Sequence, residues 1–312
     1  MNRSFRLLGR LVWKTADLRI ARLAILLPLI VGFVGAAGAT PSGSDGNAVP
    51  LEVVLRDVRE DILNASVTLR RYQFFQRTTK RDRDRNGEVK NTTERLYRVS
   101  PEPDGALHYR LIAEDGVAKS SSELARQDRR DQARRRSTQR QRQQESPRDR
   151  AARQADEAQE RRKYREMVEE VFRLYDFRLQ GRRRLNGRDT LHVTFAARPG
   201  VRVRTRVGKL LSRTRGRAWL SEGDHQVVHI EFEAIDDVAY GWFGAMAKLF
   251  RGARAEFTQE PSADGTWLPA EYWMSATARL FFVKRSVIDR TVEFYGYERV
   301  DQPASSASHV SR

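Results

Sequence analysis

The sequence predicts a mainly β fold (α+β): an antiparallel sheet that curls on itself, with a few packing helices and one long basic helical insertion. Three observations predict it. From Phe177 onward, apolar and polar residues alternate in short runs separated by turn-forming residues. Clear helical periodicity is confined to a few places, chiefly residues 51–63. Between Ser120 and Lys163 the only large apolar side chain is Leu124, so this stretch cannot bury a face of its own.

Taken in order, Leu51, Val54, Leu55, Val58 and Ile62 recur on one helical stripe, with Asn64 as the expected stop. Val67 to Thr78 reads as a strand containing Tyr72, Phe74 and Phe75. A basic turn from Arg81 to Gly87 leads to a second strand around Glu94 to Val99. Pro101 to Gly105 is a turn by composition, and Leu107, Tyr109 and Leu111 alternate with His108 and Arg110 as a third strand. Residues 126–165 then hold fifteen bases and seven acids. Acid-then-base pairs four apart (Asp131–Arg135, Asp149–Arg153, Glu157–Arg161) favour a solvated helix, which Pro147 breaks in two. Tyr164, Met167, Val168, Val171, Phe172 and Leu174 return it to the body.

Beyond Phe177, Leu191, Val193 and Phe195 mark a strand, and Val207 to Leu211 a short helix ending at Gly216. Arg217 to Ser221 and Gln226 to Ala234 form a hairpin about Glu222-Gly223-Asp224, with Val228, Ile230 and Phe232 expected on one face. Gly252–Gln259, Thr266–Ser275, Ala276–Val283 and Val287–Arg299 complete the strands.

The N-terminus reads as an export signal. Six bases accompany one acid, Asp17, and a 12-residue apolar run (Leu23 to Val34) precedes Ala37-Gly38-Ala39. Cleavage is expected after Ala39, giving an exported, periplasmic chain; an uncleaved N-terminal membrane anchor is the alternative. The organisation that follows is 1–39 signal, 40–50 flexible leader, 51–300 a single β domain carrying the 120–163 insertion, and 301–312 a polar, disordered tail. Formal net charge is +17, of which about +12 remains after Ala39. No cysteine occurs, which excludes disulfides, thiolate metal sites and a lipoprotein attachment cysteine.

Catalytic patterns are not found. His225 and His229 are four apart, but on a hairpin that spacing leaves them ~13 Å apart along a strand. Ser221, Ser275 and Ser286 lack nucleophile-elbow glycines, and no phosphate-binding glycine loop appears. Asp236-Asp237 reads as the start of a helix or turn. No catalytic residue, metal site or cofactor is therefore expected.

Two segments invite binding. The apolar run Val238 to Phe250 falls between strands, where connections are normally polar. Trp242, Phe243, Met246, Leu249 and Phe250 would make either a lid over an apolar cavity or a helix capping the core. The basic insertion is a solvated spacer or a surface for anionic lipid headgroups through residues 126–165. Nucleic acid is disfavoured, because no aromatic residues interleave the arginines.

The hairpin Gly216-Arg217-Ala218-Trp219-Leu220-Ser221 … Val227-Val228-His229-Ile230-Glu231 resembles that of outer-membrane lipoprotein-sorting proteins of the LolA/LolB-like superfamily. Gly265-Thr266-Trp267-Leu268-Pro269 and the closing Tyr295-Gly296-Tyr297 are similar to its larger bacterial relatives. The resemblance covers residues 177–299 and implies an exported half-barrel, with helices against a concave face that binds acyl chains. The chain departs from that pattern in the arginine-rich insertion, in Ser221 where Asp is usual and in His229 where Arg is frequent. Strand alternation makes Trp219, Ile230, Phe232, Phe257, Trp267, Phe281 and Phe294 the expected cavity wall. The expected function is non-enzymatic binding of a lipid acyl chain or a lipoprotein. The alternative is an envelope interaction or sensor protein with a filled core, its basic helix meeting an anionic partner.

Overall fold

The computed structural model describes residues 50–84, 86–102, 106–240, 247–280 and 284–300. The expected signal, most of the leader, the tail and Trp242, Phe243, Met246 and Phe281 lie outside them. The described residues form four helices and a 13-stranded sheet whose pairings are all antiparallel. The first half runs α1 (Leu51–Leu69), β1 (Tyr72–Arg83), β2 (Val89–Pro101), β3 (Leu107–Glu114), β4 (Val117–Ala118), α2 (Ser121–Gln143) and α3 (Pro147–Leu174). There follow β5 (Tyr175–Leu185), β6 (Arg188–Ala197), α4 (Arg206–Leu211), β7 (Thr214–Ser221), β8 (Val227–Ala234), β9 (Val238–Tyr240) and β10 (Ala247–Leu249). The chain closes with β11 (Arg254–Pro261), β12 (Trp267–Leu280) and β13 (Lys284–Arg299). The main order is β4-β3-β2-β1-β13-β12-β11-β8-β7-β6-β5, so β4 and β5 are free edges and the sheet does not close into a barrel.

One face of the sheet carries the core. Val54, Val58 and Ile62 of α1 and Met167, Val168 and Leu174 of α3 pack there on Leu191, Val193, Phe195, Leu220, Ile230, Phe257 and Tyr272. Each large aliphatic or aromatic side chain buried in this way stabilises the fold by about 1.5–3 kcal/mol. The helix α1 passes the expected stop at Asn64 because Leu69, seven residues after Ile62, returns to the same stripe. There Leu69 joins Tyr72, Phe74, Val99 and Leu268 in a second cluster, and β1 begins only at Tyr72.

The insertion is two helices. Ser120 caps α2 by a reciprocal box with Glu123, and α2 buries no residue. Ser146 caps α3, with Pro147 at its first position, so the proline that ends one helix pre-organises the next. The short helix α4 stops at Leu211, and Gly216 lies inside β7. A Cβ there would meet the Glu231 carbonyl at 2.1 Å and the Phe195 ring at 2.3 Å. The two strands expected at 266–283 include one continuous strand, β12, which stays paired with β13 straight through Ser275 and Ala276.

Candidate functional site

The register divides the seven expected wall residues. Ile230 and Phe257 are buried beneath the helices, and Phe232 and Phe294 flank that same cluster half-buried. The other two described ones lie on the opposite face. Trp219 stands between Ala218 and Leu220, which both point to the core, so alternation turns it outward. There it stacks on His192, with ring centroids 5.0 Å apart, and tilts against His229 at 5.3 Å. Trp267 precedes the core residue Leu268, and it packs with Val228 and Leu185 under the Arg188 guanidinium. Its Nε1 donates to Asp224 at 2.7 Å. Val228 also leaves the face expected for it. Trp219 pairs with His229 and Leu220 with Val227, so Val228 is the extra residue of a bulge.

Of the five expected lid residues, Leu249 and Phe250 are described. Their segment begins and ends in a small hairpin rather than a helix: β9 pairs with β10, and β10 with β12. Leu249 packs on Ala234, Ala253 and Ala276 with Ile288. The Lys248 ammonium lies over the Phe250 ring, 5.1 Å from its centre. Asp236 and Asp237 lead into this arm and pair with Arg213 and Lys248 at 2.7 and 2.6 Å. The two histidines of the hairpin have separate partners: His225 bonds Asp57 at 2.8 Å, and His229 bonds Thr258 at 2.9 Å. Among the described residues no group of His, Asp and Glu side chains is arranged to hold a metal ion.

The arrangement with the clearest binding chemistry lies at the other end of the sheet, where α2 runs along β3. Because α2 buries nothing, polar clasps seat it. Arg110 reaches both oxygens of Asp128 at 2.8 and 2.7 Å, His108 meets Asp131 at 3.0 Å, and Arg135 meets Glu102 at 3.0 Å. Arg110–Asp128 and Arg135–Glu102 are partly exposed and contribute at most about 1 kcal/mol each, while His108–Asp131 is the more buried clasp. Between helix and sheet they leave a groove of about 580 Å³, within the ~300–1,000 Å³ usual for small-ligand sites.

Its floor is apolar and its rim cationic. Tyr97, Tyr109 and Leu111 come from one face of β2 and β3, where Tyr97 pairs with Leu111 and Val99 with Tyr109. The two tyrosine rings meet edge to face at 6.3 Å. Tyr109 keeps 38% of its surface exposed along the groove, and its surroundings push its phenol pKa up by desolvation. The rim carries Lys119, Arg126, Arg130 and Arg134 against Glu123 and Asp131. Both acids are engaged, Glu123 with the Ser120 cap and Asp131 with His108; Lys119 is held by Glu114 at 3.0 Å. Arg126 donates its Nε to the Ser122 carbonyl at 3.4 Å and feels the Glu123 charge, so the rim carries four cations against two acids. The sequence carried both halves of this site, the β3 alternation and the helical arginine spacing, but not their juxtaposition.

A second hollow, of about 550 Å³, lies near β1, β11, β12 and β13 and is lined by Arg77, Thr258, Glu260, Glu271 and Glu293 among others. Burial, then Glu293 and Glu256, push the Glu271 carboxyl up. Arg77 answers Glu293 at 3.5 Å. Thr258 in this lining bonds the His229 ring at 2.9 Å.

No family model and no curated protein matches this chain. Among solved structures it is similar to an outer-membrane lipoprotein-sorting protein domain from Vibrio parahaemolyticus, at 8% identity and a TM-score of 0.28, over 75% of this chain and 87% of that one. It is similar to the LolA superfamily protein NE2245 from Nitrosomonas europaea, at 10% identity and a TM-score of 0.29, over 82% and 96%. A third likeness is to the Pseudomonas aeruginosa MucA/MucB complex, at 13% identity and a TM-score of 0.23, over 80% and 99%. Scores this low carry no functional inference.

Proposed function

We propose that this chain is an exported, non-enzymatic binding protein of the bacterial envelope, and that it holds a lipid or lipidated partner in the groove between α2 and β2–β3. The observation that carries the reading is the half-exposed apolar floor of Tyr97, Tyr109 and Leu111 inside a groove of about 580 Å³. Burial of a flexible chain on such a floor is favourable by about 0.8 kcal/mol per CH₂, so no catalytic group is required. The basic, apolar and small-residue order of residues 1–39 supports export. Among the described residues no helix is long and apolar enough to cross a membrane. The face under α1 and α3 is occupied by its own side chains, with Val54 at 0%, Val168 at 1% and Phe257 at 2% exposure.

That filled face favours a second reading, in which the body is a scaffold and residues 126–165 meet an anionic partner. Titration with a fluorescent fatty-acyl probe separates the two. Saturable binding that is weakened by Tyr109→Ser and Leu111→Ser, at unchanged melting temperature, supports the groove. A wild-type protein that takes up no acyl probe overturns it in favour of the scaffold.

A further inference from the structure

Resting on the groove as the lipid site, we infer that α2 selects the headgroup, and that the ligand is a lipid carrying two phosphate charges. Arg126, Arg130 and Arg134 line the groove at steps of four residues, so they stand one above another on a single face of α2. At 1.5 Å per residue they span about 12 Å along the helix. The nearby acids are already committed, Asp131 to His108, Asp128 to Arg110 and Glu123 to Ser120. Glu123 also acts on Arg126, yet the row keeps an excess of positive charge beside an apolar floor.

A guanidinium presents a planar fork that fits a phosphate with two parallel hydrogen bonds. One carboxylate, as on a free fatty acid, would occupy a single fork and leave two cations facing each other. Two phosphates spaced along the row engage all three. The floor of Tyr97, Tyr109 and Leu111 faces the same space, so headgroup and chain are bound side by side, as an amphiphile requires. An acidic protein segment would also meet the cations, but would not draw on the apolar floor in the same way.

The test is vesicle flotation with the full chain. The vesicles are phosphatidylcholine alone, or phosphatidylcholine with phosphatidylglycerol or cardiolipin at equal total charge. Binding is expected to favour cardiolipin over phosphatidylglycerol, with phosphatidylcholine weakest. Arg130→Gln with Arg134→Gln should weaken cardiolipin binding roughly 30-fold, from about 1 kcal/mol for each arginine near an anionic surface. The matched control, Arg148→Gln with Arg150→Gln on exposed α3, should change it little. Equal losses in the two pairs would mean unspecific charge and overturn the inference. So would equal binding of all three vesicles with the acyl probe still bound, which leaves the groove reading standing. If an acidic peptide such as polyglutamate displaces cardiolipin vesicles while the acyl probe stays bound, the partner is a protein segment and the inference fails. Loss of both vesicle and probe binding by the wild type would bring down the groove reading itself.

Discussion

On α3 the Glu170 carboxylate accepts the Thr205 backbone N–H at 2.9 Å, and its other oxygen takes the N–H of Arg204. Glu170 is 3% exposed, and Arg173 answers it at 3.1 Å. One buried carboxylate thus ties α3 to the start of α4, and Thr205 passes the link on by capping Gly208 at 2.8 Å. The site is close-fitting: a Cβ on Gly208 would come within 2.6 Å of that carboxylate. Glu170→Ala leaves two backbone donors unmade and is expected to cost about 2–3 kcal/mol. At about 2–4 °C per kcal/mol for a domain of this size, that is a melting temperature lower by about 4–12 °C. Thermal denaturation followed by circular dichroism checks it, and an unchanged melting curve would show that water replaces the carboxylate freely.

Gly216 makes a sharper case. Neither the Glu231 carbonyl nor the Phe195 ring can retreat without parting β7 from β8 or emptying the core beneath α3. Gly216→Ala should therefore reduce soluble yield and lower the melting temperature by more than Gly223→Ala, whose added Cβ meets nothing within 4 Å. Comparable melting temperatures for the two variants would contradict this account of the hairpin.

How much of this was legible beforehand differs by element. The Ser146–Pro147 break, the docking of Met167, Val168 and Leu174, and the β7–β8 hairpin follow from local signals, namely a cap, a stripe and a turn. The tail of α1 did not, because β-branched Val67 and Thr68 look like a strand start while Leu69 continues a helical stripe that only packing reveals. Strand alternation puts Trp219 on the wall only if the parity of β7 is set correctly, and the pairing sets it the other way: Ala218, not Trp219, lies opposite Ile230, and Ala218 and Leu220 hold the inward positions. Val228 escaped because a bulge shifts the alternation by one residue without a glycine to announce it. The groove was invisible for a different reason: it joins β2–β3 to α2 through His108–Asp131 and Arg110–Asp128, contacts that no periodicity within one segment encodes.

Asp61 supplies a pH dependence. On α1 it accepts the Gln226 side-chain amide at 2.7 Å. Burial, with Asp57, Asp224 and Glu60 nearby, pushes its carboxyl up from 3.8 to about 6. Between those values the folded chain holds a proton that the unfolded chain releases. This group's effect on stability is thus most favourable below about pH 4, worsens as pH rises through about 6, and is constant above. Asp61→Asn removes the charge and keeps an oxygen for Gln226. The variant should melt higher than wild type at pH 7.5, by about 2–4 °C if about 1 kcal/mol is recovered, and at the same temperature at pH 4. A variant less stable than wild type at pH 7.5 would mean that the ionised form is the one the site prefers.

The polar seating of α2 leads to the last expectation. The helix buries no residue, and Asp128 and Asp131 are its clasps to Arg110 and His108. Asp128→Asn with Asp131→Asn should leave the global melting temperature within about 1–2 °C of wild type, because neither pair is fully buried and such pairs contribute little to folding. Those same pairs fix the distance between the arginine row and the Tyr97–Tyr109–Leu111 floor, so acyl-probe affinity should fall severalfold. The substitution also removes two negative charges beside the row, which by simple electrostatics would strengthen the capture of an anion. The two effects have opposite signs. A weakened probe affinity therefore reports lost positioning, and a strengthened one would mean that α2 acts as a charged strand of any shape, with no built groove beneath it. Amide exchange over residues 121–143 gives the independent reading: faster exchange in the double variant accompanies loss of seating, and unchanged exchange would show that the clasps do not hold the helix.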